Sequence, residues 1–248
     1  MPIRGALEHL IAVTYGFAYD AVVKGFGPYE ALLDEISAFV ARSAPPERGR
    51  RAVRVLDIAC GIGNVGLRLA REGYTVVGVD AVRHLIAIAR EKHHAQGLPN
   101  LTFQHLDIAQ STFPGAGTFD VLVSMHTLYW HPEPARLLEG CHRALRPGGH
   151  AVVLTYGRPA LIGRTFRDVR ARQGRLAALR ALRWLVPTVV FEAFRDCDHR
   201  YYGASEFHAA LEAAGFEVLE TRDTFLAGLS RLAWARVRDD AAARPEGK

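Results

Sequence analysis

Three carboxylates stand at or just past the ends of three successive apolar runs: Asp57 in Val53–Ile58, Asp80 after Thr75–Val79, and Asp107 after Leu101–His105. The first belongs to Val55-Leu-Asp-Ile-Ala-Cys-Gly-Ile-Gly-Asn-Val-Gly66, an apolar run that ends in small residues. Ala59, Gly61 and Gly63 let a backbone come close to a ligand, and a helix opening at Gly63 offers unpaired N–H groups. Asp80 follows Asp57 by 23 residues, the spacing at which an acid accepts both hydroxyls of a ribose above the strand ends. At Asp107-Ile108, the acid or its backbone suits an exocyclic amine and Ile108 suits the face of an adenine ring. A tight strand–helix connection with solvated acids is the bland alternative. Three acids at three successive strand ends argue against it.

The kind of nucleotide is narrowed by the first acid. No Gly-Lys-Ser/Thr follows the glycines, which excludes a P-loop. Gly61, Gly63 and Gly66 do show the spacing of a nicotinamide site, so spacing alone leaves that cofactor open. Asp57, inside the strand end, would repel a pyrophosphate and welcome an ammonium group. With these residues, Asp57-Ile-Ala-Cys-Gly-Ile-Gly63 resembles the acid-x-Gly-x-Gly-x-Gly signature of class I S-adenosylmethionine-dependent methyltransferases, with Ala59 in place of the first glycine. Phe119–Ser124 resembles the family's fourth strand and Leu145-Arg-Pro-Gly-Gly149 the turn before its fifth. The resemblance covers residues 50–157 well and 200–238 moderately. It is similar to the small-molecule branch, which includes quinone, lipid, polyketide and sugar methyltransferases.

That resemblance implies S-adenosyl-L-methionine as cofactor and S-adenosyl-L-homocysteine as product. It implies cofactor contacts from Asp57, Ala59, Gly61, Gly63, Asp80 with Ala81, Asp107, Ile108, Ser124 and Met125, and from Tyr19 in an N-terminal lid. The implied fold is α/β: a Rossmann-like, mostly parallel seven-stranded sheet with one antiparallel strand and helices on both faces. Where many relatives read Leu-His-His after the fourth strand, this chain reads Leu128-Tyr-Trp-His131.

On the acceptor side, His126 is the first candidate base, because it lies just past a strand end and titrates near neutrality. A histidine simply packed against the cofactor or a cap is the competing reading. His131 is second, though the prolines at 132 and 134 suit it equally to a helix start. Tyr156 and Arg158 follow the fifth strand, and Arg158 suits a carboxylate or phosphate on the substrate. Alignment alone supplies about 7–11 kcal/mol in such displacements, so a strong base is not obligatory. No metal is expected: His93-His94 is adjacent on a helix, and His199, His208 and Asp196/Asp198 make no ligand spacing. No Gly-x-Ser-x-Gly exists for a hydrolase.

These residues need a scaffold that 248 residues, 49% of them apolar, can supply. Short apolar strands alternate with helices over residues 51–157, which predicts a parallel sheet covered on both faces. Before this cofactor-binding core, residues 1–50 read as a helical lid with helices over 5–24 and 29–42. Arg146-Pro-Gly-Gly149 reads as a stop between a helix over 134–145 and a strand over 150–155. Residues 158–200 read as a helical cap broken near Pro187. Residues 201–238 add a helix over 205–214, with Ser205 as its cap, and two strands; residues 239–248 form a tail.

The net charge of +5 is modest and arginine-borne. The cap segment 158–183 holds eight arginines and one acid, Asp168, which fits a solvated face, a phosphate-binding surface or an interfacial helix on anionic lipid. Val-Ser-Met-His126 lacks the Asn/Asp-Pro-Pro-Tyr of amino-methylating nucleic-acid enzymes, so no nucleic-acid partner is expected. Three cysteines without a CxxC pair, no signal peptide and no span of 18 apolar residues predict a cytoplasmic protein; the sequence leaves monomer and homodimer both open. The expected function is methyl transfer by in-line displacement to a small aromatic or lipophilic metabolite. The alternatives are an NAD-dependent oxidoreductase and a non-catalytic protein that senses the cofactor.

Overall fold

A computed structural model describes residues 26–106, 115–129, 131–158, 162–194 and 201–238. Helix α1 (Gly27–Ser43) leads through a 3-10 turn at Arg50–Ala52 into strand β1 (Arg54–Ile58). Then come α2 (Asn64–Arg71), β2 (Thr75–Asp80), α3 (Arg83–Gln96), β3 (Leu101–His105), β4 (Phe119–Met125), α4 (Pro134–Ala144) and β5 (Leu145–Tyr156). Two helices follow, α5 (Ile162–Gln173) and α6 (Arg175–Phe194). The chain closes with α7 (Ala204–Ala213), β6 (Phe216–Thr224) and β7 (Ser230–Val237).

The strands form one seven-stranded sheet in the order β3-β2-β1-β4-β5-β7-β6. The order reverses between β1 and β4, and β7 alone runs antiparallel to its neighbours β5 and β6. This is the expected mostly parallel architecture with one antiparallel strand. Strand alternation sends Val55, Val121, Val123, Val152 and Leu154 to a core shared with α1, α2, α3 and the insert helices. Leu56, Ile58, Leu122, Ala151 and Val153 pack on the other face against α4 and α7. Residues that pair in parallel register share a face, so Asp57 opposite Val123 points to the side of α2.

Local details correct several expectations. The insert breaks at Gly174, not at Pro187. Gly174 adopts φ +88, a conformation open to glycine, and its N–H closes α5 on the Arg170 carbonyl at 3.0 Å. Pro187 lies within α6, where its missing N–H leaves one rung unmade but does not end the helix. Arg146-Pro-Gly-Gly149 does follow a helix end, yet it forms a bulge inside β5. Leu145 pairs with Phe119, and pairing resumes at His150 with Val121. Helix α7 is preceded by Gly203 rather than capped by Ser205; the Gly203 N–H reaches Glu206 Oε2 at 3.4 Å. The expected helix over 5–24 and the tail lie outside the described residues. No described helix is long and apolar enough to cross a membrane.

Candidate active site

The glycine turn is built by the end of β1 folding back on β2. Cys60 donates its backbone N–H to the Val79 carbonyl at 3.0 Å, and the Gly63 N–H returns to the Cys60 carbonyl at 2.9 Å. Ala59, Gly61 and Gly63 all hold positive φ, at 50, 55 and 82. At Gly61 a Cβ would meet nothing within 4 Å, so this stretch of backbone faces open space. Ala59, standing in a left-handed conformation without being glycine, carries local strain of about 1–2 kcal/mol.

Asp80 ties the turn to β2. Its Oδ2 accepts the Gly61 N–H and its Oδ1 accepts the Val82 N–H, each at 2.8 Å. A carboxylate oxygen has two lone-pair positions, so both oxygens can accept one more donor each. Burial pushes the Asp80 carboxyl above its ordinary range, against the pull of those two amides. Asp57 is buried more deeply, and its Oδ2 accepts the Gly66 N–H of α2 at 3.0 Å. Desolvation, with a smaller contribution from the charge of Asp80, raises its pKa to about 7. No cation stands beside it among the described residues. Two carboxylates thus share one face of the sheet with a glycine turn between them; His105 acts on Asp80 as a positive neighbour, and Asp57 has none. Cys60 beside them is held well above the usual thiol range, first by burial and then by the two acids, so it is not a nucleophile.

Met125 lies on the same face, opposite Leu154 of β5. Ser124 does not join the group: paired with Ile58, its side chain turns to the opposite face, where its buried hydroxyl has no hydrogen-bond partner among the described residues. The Ala81 carbonyl is hydrogen-bonded to His105 Nε2 at 3.0 Å. Tyr19, Asp107 and Ile108 lie outside the described residues. Tyr29 of α1, a residue the motif carries no sign of, reaches the turn, its hydroxyl accepting the Asn64 side-chain N–H at 3.2 Å.

Beyond β4 and β5 a second group assembles. His126, at φ 60, stacks on Tyr156 with ring centroids 4.0 Å apart and 8° between planes. Its Nε2 is bonded to Ser230 Oγ at 2.8 Å, across the sheet from the start of β7. Although part of the residue touches solvent, dense packing drives its pKa down to about 3, so the imidazole is neutral. Tyr129 meets Tyr156 edge-on at 4.9 Å, and its hydroxyl is 3.1 Å from that of Tyr201. Phe225 and Trp184 close the cluster in a T-shaped contact at 5.1 Å. Sequence reasoning missed Ser230 and Phe225. His131 accepts the Glu133 N–H on Nδ1 at 3.1 Å, where α4 begins. Arg158 donates from Nη2 to the Ala227 carbonyl at 3.1 Å.

A family model described as a methyltransferase domain matches residues 28–221. The chain belongs to the class I S-adenosylmethionine-dependent methyltransferase family. Ubiquinone biosynthesis O-methyltransferases of Acinetobacter baumannii (strain ACICU) and Psychrobacter cryohalolentis are 29% identical over 110 residues and 33% over 113. These alignments cover 44% and 45% of this chain, and 46% and 44% of the relatives. Less than half the length of those curated methyltransferases is therefore matched. An S-adenosylmethionine-dependent methyltransferase structure from Mesorhizobium loti superposes with a TM-score of 0.55 at 25% identity, covering 82% of this chain and 99% of that one. The fold is shared as well with the Burkholderia thailandensis 1,6-didemethyltoxoflavin-N1-methyltransferase, at a TM-score of 0.63, 16% identity, and 95% and 89% coverage.

Proposed function

We propose that this chain binds S-adenosyl-L-methionine between Asp57 and Asp80 and transfers its methyl group to a small metabolite. The observation that carries the reading is the buried, cation-less Asp57 beside an open glycine turn. An ammonium placed there would relieve the desolvated acid, whereas a pyrophosphate would aggravate it. The free lone pairs of Asp80 suit the two ribose hydroxyls, with Asp107 and Ile108 on the adenine side. Family membership favours methyl transfer over hydride transfer. When bound, the cofactor supplies a methyl carbon activated by a sulfonium, which an acceptor atom takes by in-line displacement. Residues 51–157 then serve as the cofactor core, with 1–50 as lid and 158–200 as cap.

The protein's part is alignment and exclusion of water. His126, neutral and engaged with Ser230, is a weak base at neutral pH and acts as a positioning group that holds Tyr156. Tyr156, Tyr129 and Trp184 give the acceptor side an aromatic character suited to a planar or lipophilic substrate. Calorimetric titration tests the cofactor assignment. S-adenosylhomocysteine should bind and NADH should not; a folded sample that ignores the first overturns it. Turnover of a panel of phenols, quinols and amines then separates an enzyme from a non-catalytic sensor.

A membrane-surface role is favoured by one further observation. On α6, Leu176, Leu179 and Val186 are 63%, 57% and 47% exposed, on one helical face that also carries Arg183 and is flanked by Arg175 and Arg180. Such a face suits contact with anionic lipid and a lipophilic acceptor. Vesicles rich in phosphatidylglycerol should co-sediment the protein, and Leu176→Gln/Leu179→Gln should release it. Equal, negligible sedimentation of both proteins removes this reading.

A further inference from the structure

Two guanidinium groups beside the aromatic cluster have hydrogen-bonding capacity that the protein leaves open. Arg158, two residues past the end of β5, uses Nη2 on the Ala227 carbonyl, while its Nη1 is buried with no hydrogen-bond partner among the described residues. Arg231, the second residue of β7, uses Nε on Asp223 Oδ1 at 3.0 Å, and among the described residues its buried Nη1 likewise has no hydrogen-bond partner. Both lie against the same turn. A Cβ on Gly157 would stand 3.4 Å from Arg231 Nε, and Gly157 donates its N–H to the Leu229 carbonyl at 3.0 Å. The carbonyl that Arg158 holds precedes Gly228, where a Cβ would stand 3.2 Å from that of Asp223. Burial first, and then a third positive charge, Arg164 of α5, depress the Arg158 pKa; Asp168 and Asp223 oppose them.

The turn itself is unusual. Phe225, Leu226 and Ala227 stand at φ 55, 40 and 62, and Gly228 at φ 80, four consecutive residues in the left-handed region with only one glycine. Strain of this kind persists only where surrounding contacts hold it, and it concentrates at binding sites. Here it presents the Ala227 carbonyl to Arg158 and sets Phe225 6.3 Å from the His126 ring. A buried cationic N–H without an acceptor is costly, and two of them flanking a strained turn indicate a missing anionic partner.

We propose that Arg158 and Arg231 together seat an oxyanion, a carboxylate or phosphate, through their two unpaired Nη1 groups. The planar fork of each guanidinium matches such groups, and the site adjoins the aromatic side of the cleft. The oxyanion comes either from the methyl acceptor or from the headgroup of a lipid that carries it. This rests on the methyl-transfer reading for its meaning, but binding is measured without any turnover.

The test titrates the protein, saturated with S-adenosylhomocysteine, with benzoate and with inorganic phosphate, and sediments it with phosphatidylglycerol vesicles. Saturable binding of either soluble anion is expected, weakened about tenfold or more in Arg158→Gln and in Arg231→Gln. Asp223→Asn, which removes the competing carboxylate, should tighten binding severalfold and remains informative where a glutamine variant fails to fold. Soluble-anion binding that depends on both arginines marks the acceptor as the source; vesicle binding with the same dependence marks a lipid headgroup. Absence of saturation in every arm, or binding indifferent to all three substitutions, overturns the proposal. Failure of S-adenosylhomocysteine itself to bind overturns the methyl-transfer reading instead, and the anion arms are then read on the unliganded protein.

Discussion

Asp80 does two jobs with one carboxylate. It fastens the glycine turn through the Gly61 N–H and the start of α3 through the Val82 N–H, and it keeps lone pairs for a ligand. Asp80→Ala should cost about 1.5–3 kcal/mol of S-adenosylhomocysteine affinity, the worth of a hydrogen bond to a charged group. Asp80→Asn keeps one acceptor oxygen and should lose less. Titration calorimetry at neutral pH reads both; an Asp80→Ala protein with wild-type affinity would remove Asp80 from the site. This residue was legible in the sequence because the fold repeats: an acid at the end of β2 lands beside an acid in β1 whenever both strands are parallel neighbours. His126–Ser230 was not legible. The partners are 104 residues apart, and neither carries a local signal that β7 inserts antiparallel beside β5.

At the scale of elements, one ring sets the shape of the turn. Phe103 of β3 fills the space where a Cβ on Gly63 would come within 2.5 Å of it, one on Gly66 within 3.3 Å and one on Gly78 within 2.5 Å. Glycines from the turn, from α2 and from β2 thus cradle a single side chain. Gly78 has no need of glycine for its backbone, so its Cβ clash with Phe103 and with Cys60 Sγ at 3.1 Å isolates packing from conformation. Gly78→Ala should destabilise by about 1–3 kcal/mol, as overpacking does, and Phe103→Leu in the same chain should recover part of that loss. Urea unfolding of the two single variants and the double variant measures the coupling; strict additivity would mean that ring and glycine do not press on each other. The strands themselves were readable from their apolar runs. The insert was misread because a proline is a stronger signal on paper than one glycine, whereas Gly174 breaks the helix and Pro187 does not. Nothing in Phe225-Leu-Ala announces a left-handed turn, since these residue types disfavour it; tertiary contacts impose it.

For the molecule as a whole, two desolvated titrating groups, Asp57 and His126, have effects on stability that oppose each other. Asp57 is raised from an ordinary carboxylate value to about 7, so between about pH 4 and 7 the native state binds more protons than the unfolded state. Its contribution therefore falls as pH rises through that window. His126 is lowered to about 3, so between about pH 3 and 6.5 the unfolded state binds more protons, and its contribution rises with pH. Each group has a limiting slope of about 1.4 kcal/mol per pH unit. They cancel in large part between pH 4 and 6.5, and the ligand-free protein hides both. Substitution uncovers them. Relative to wild type, Asp57→Asn should gain stability steadily from pH 4 to 7, while His126→Asn, whose new side chain tolerates the positive φ, should lose its relative advantage from pH 4 to 6.5. The perturbed His150 remains in both variants and drops out of the differences, whereas Asp80, coupled to Asp57 by charge, belongs to the Asp57 difference. Saturating S-adenosylhomocysteine should flatten the first difference alone, because an ammonium beside Asp57 restores its ordinary acidity while leaving the His126–Tyr156 stack untouched. Urea unfolding at half-unit pH steps, with and without ligand, gives all four curves. An Asp57 difference that saturating S-adenosylhomocysteine leaves unchanged would show that the cofactor's amino group does not rest beside the buried charge.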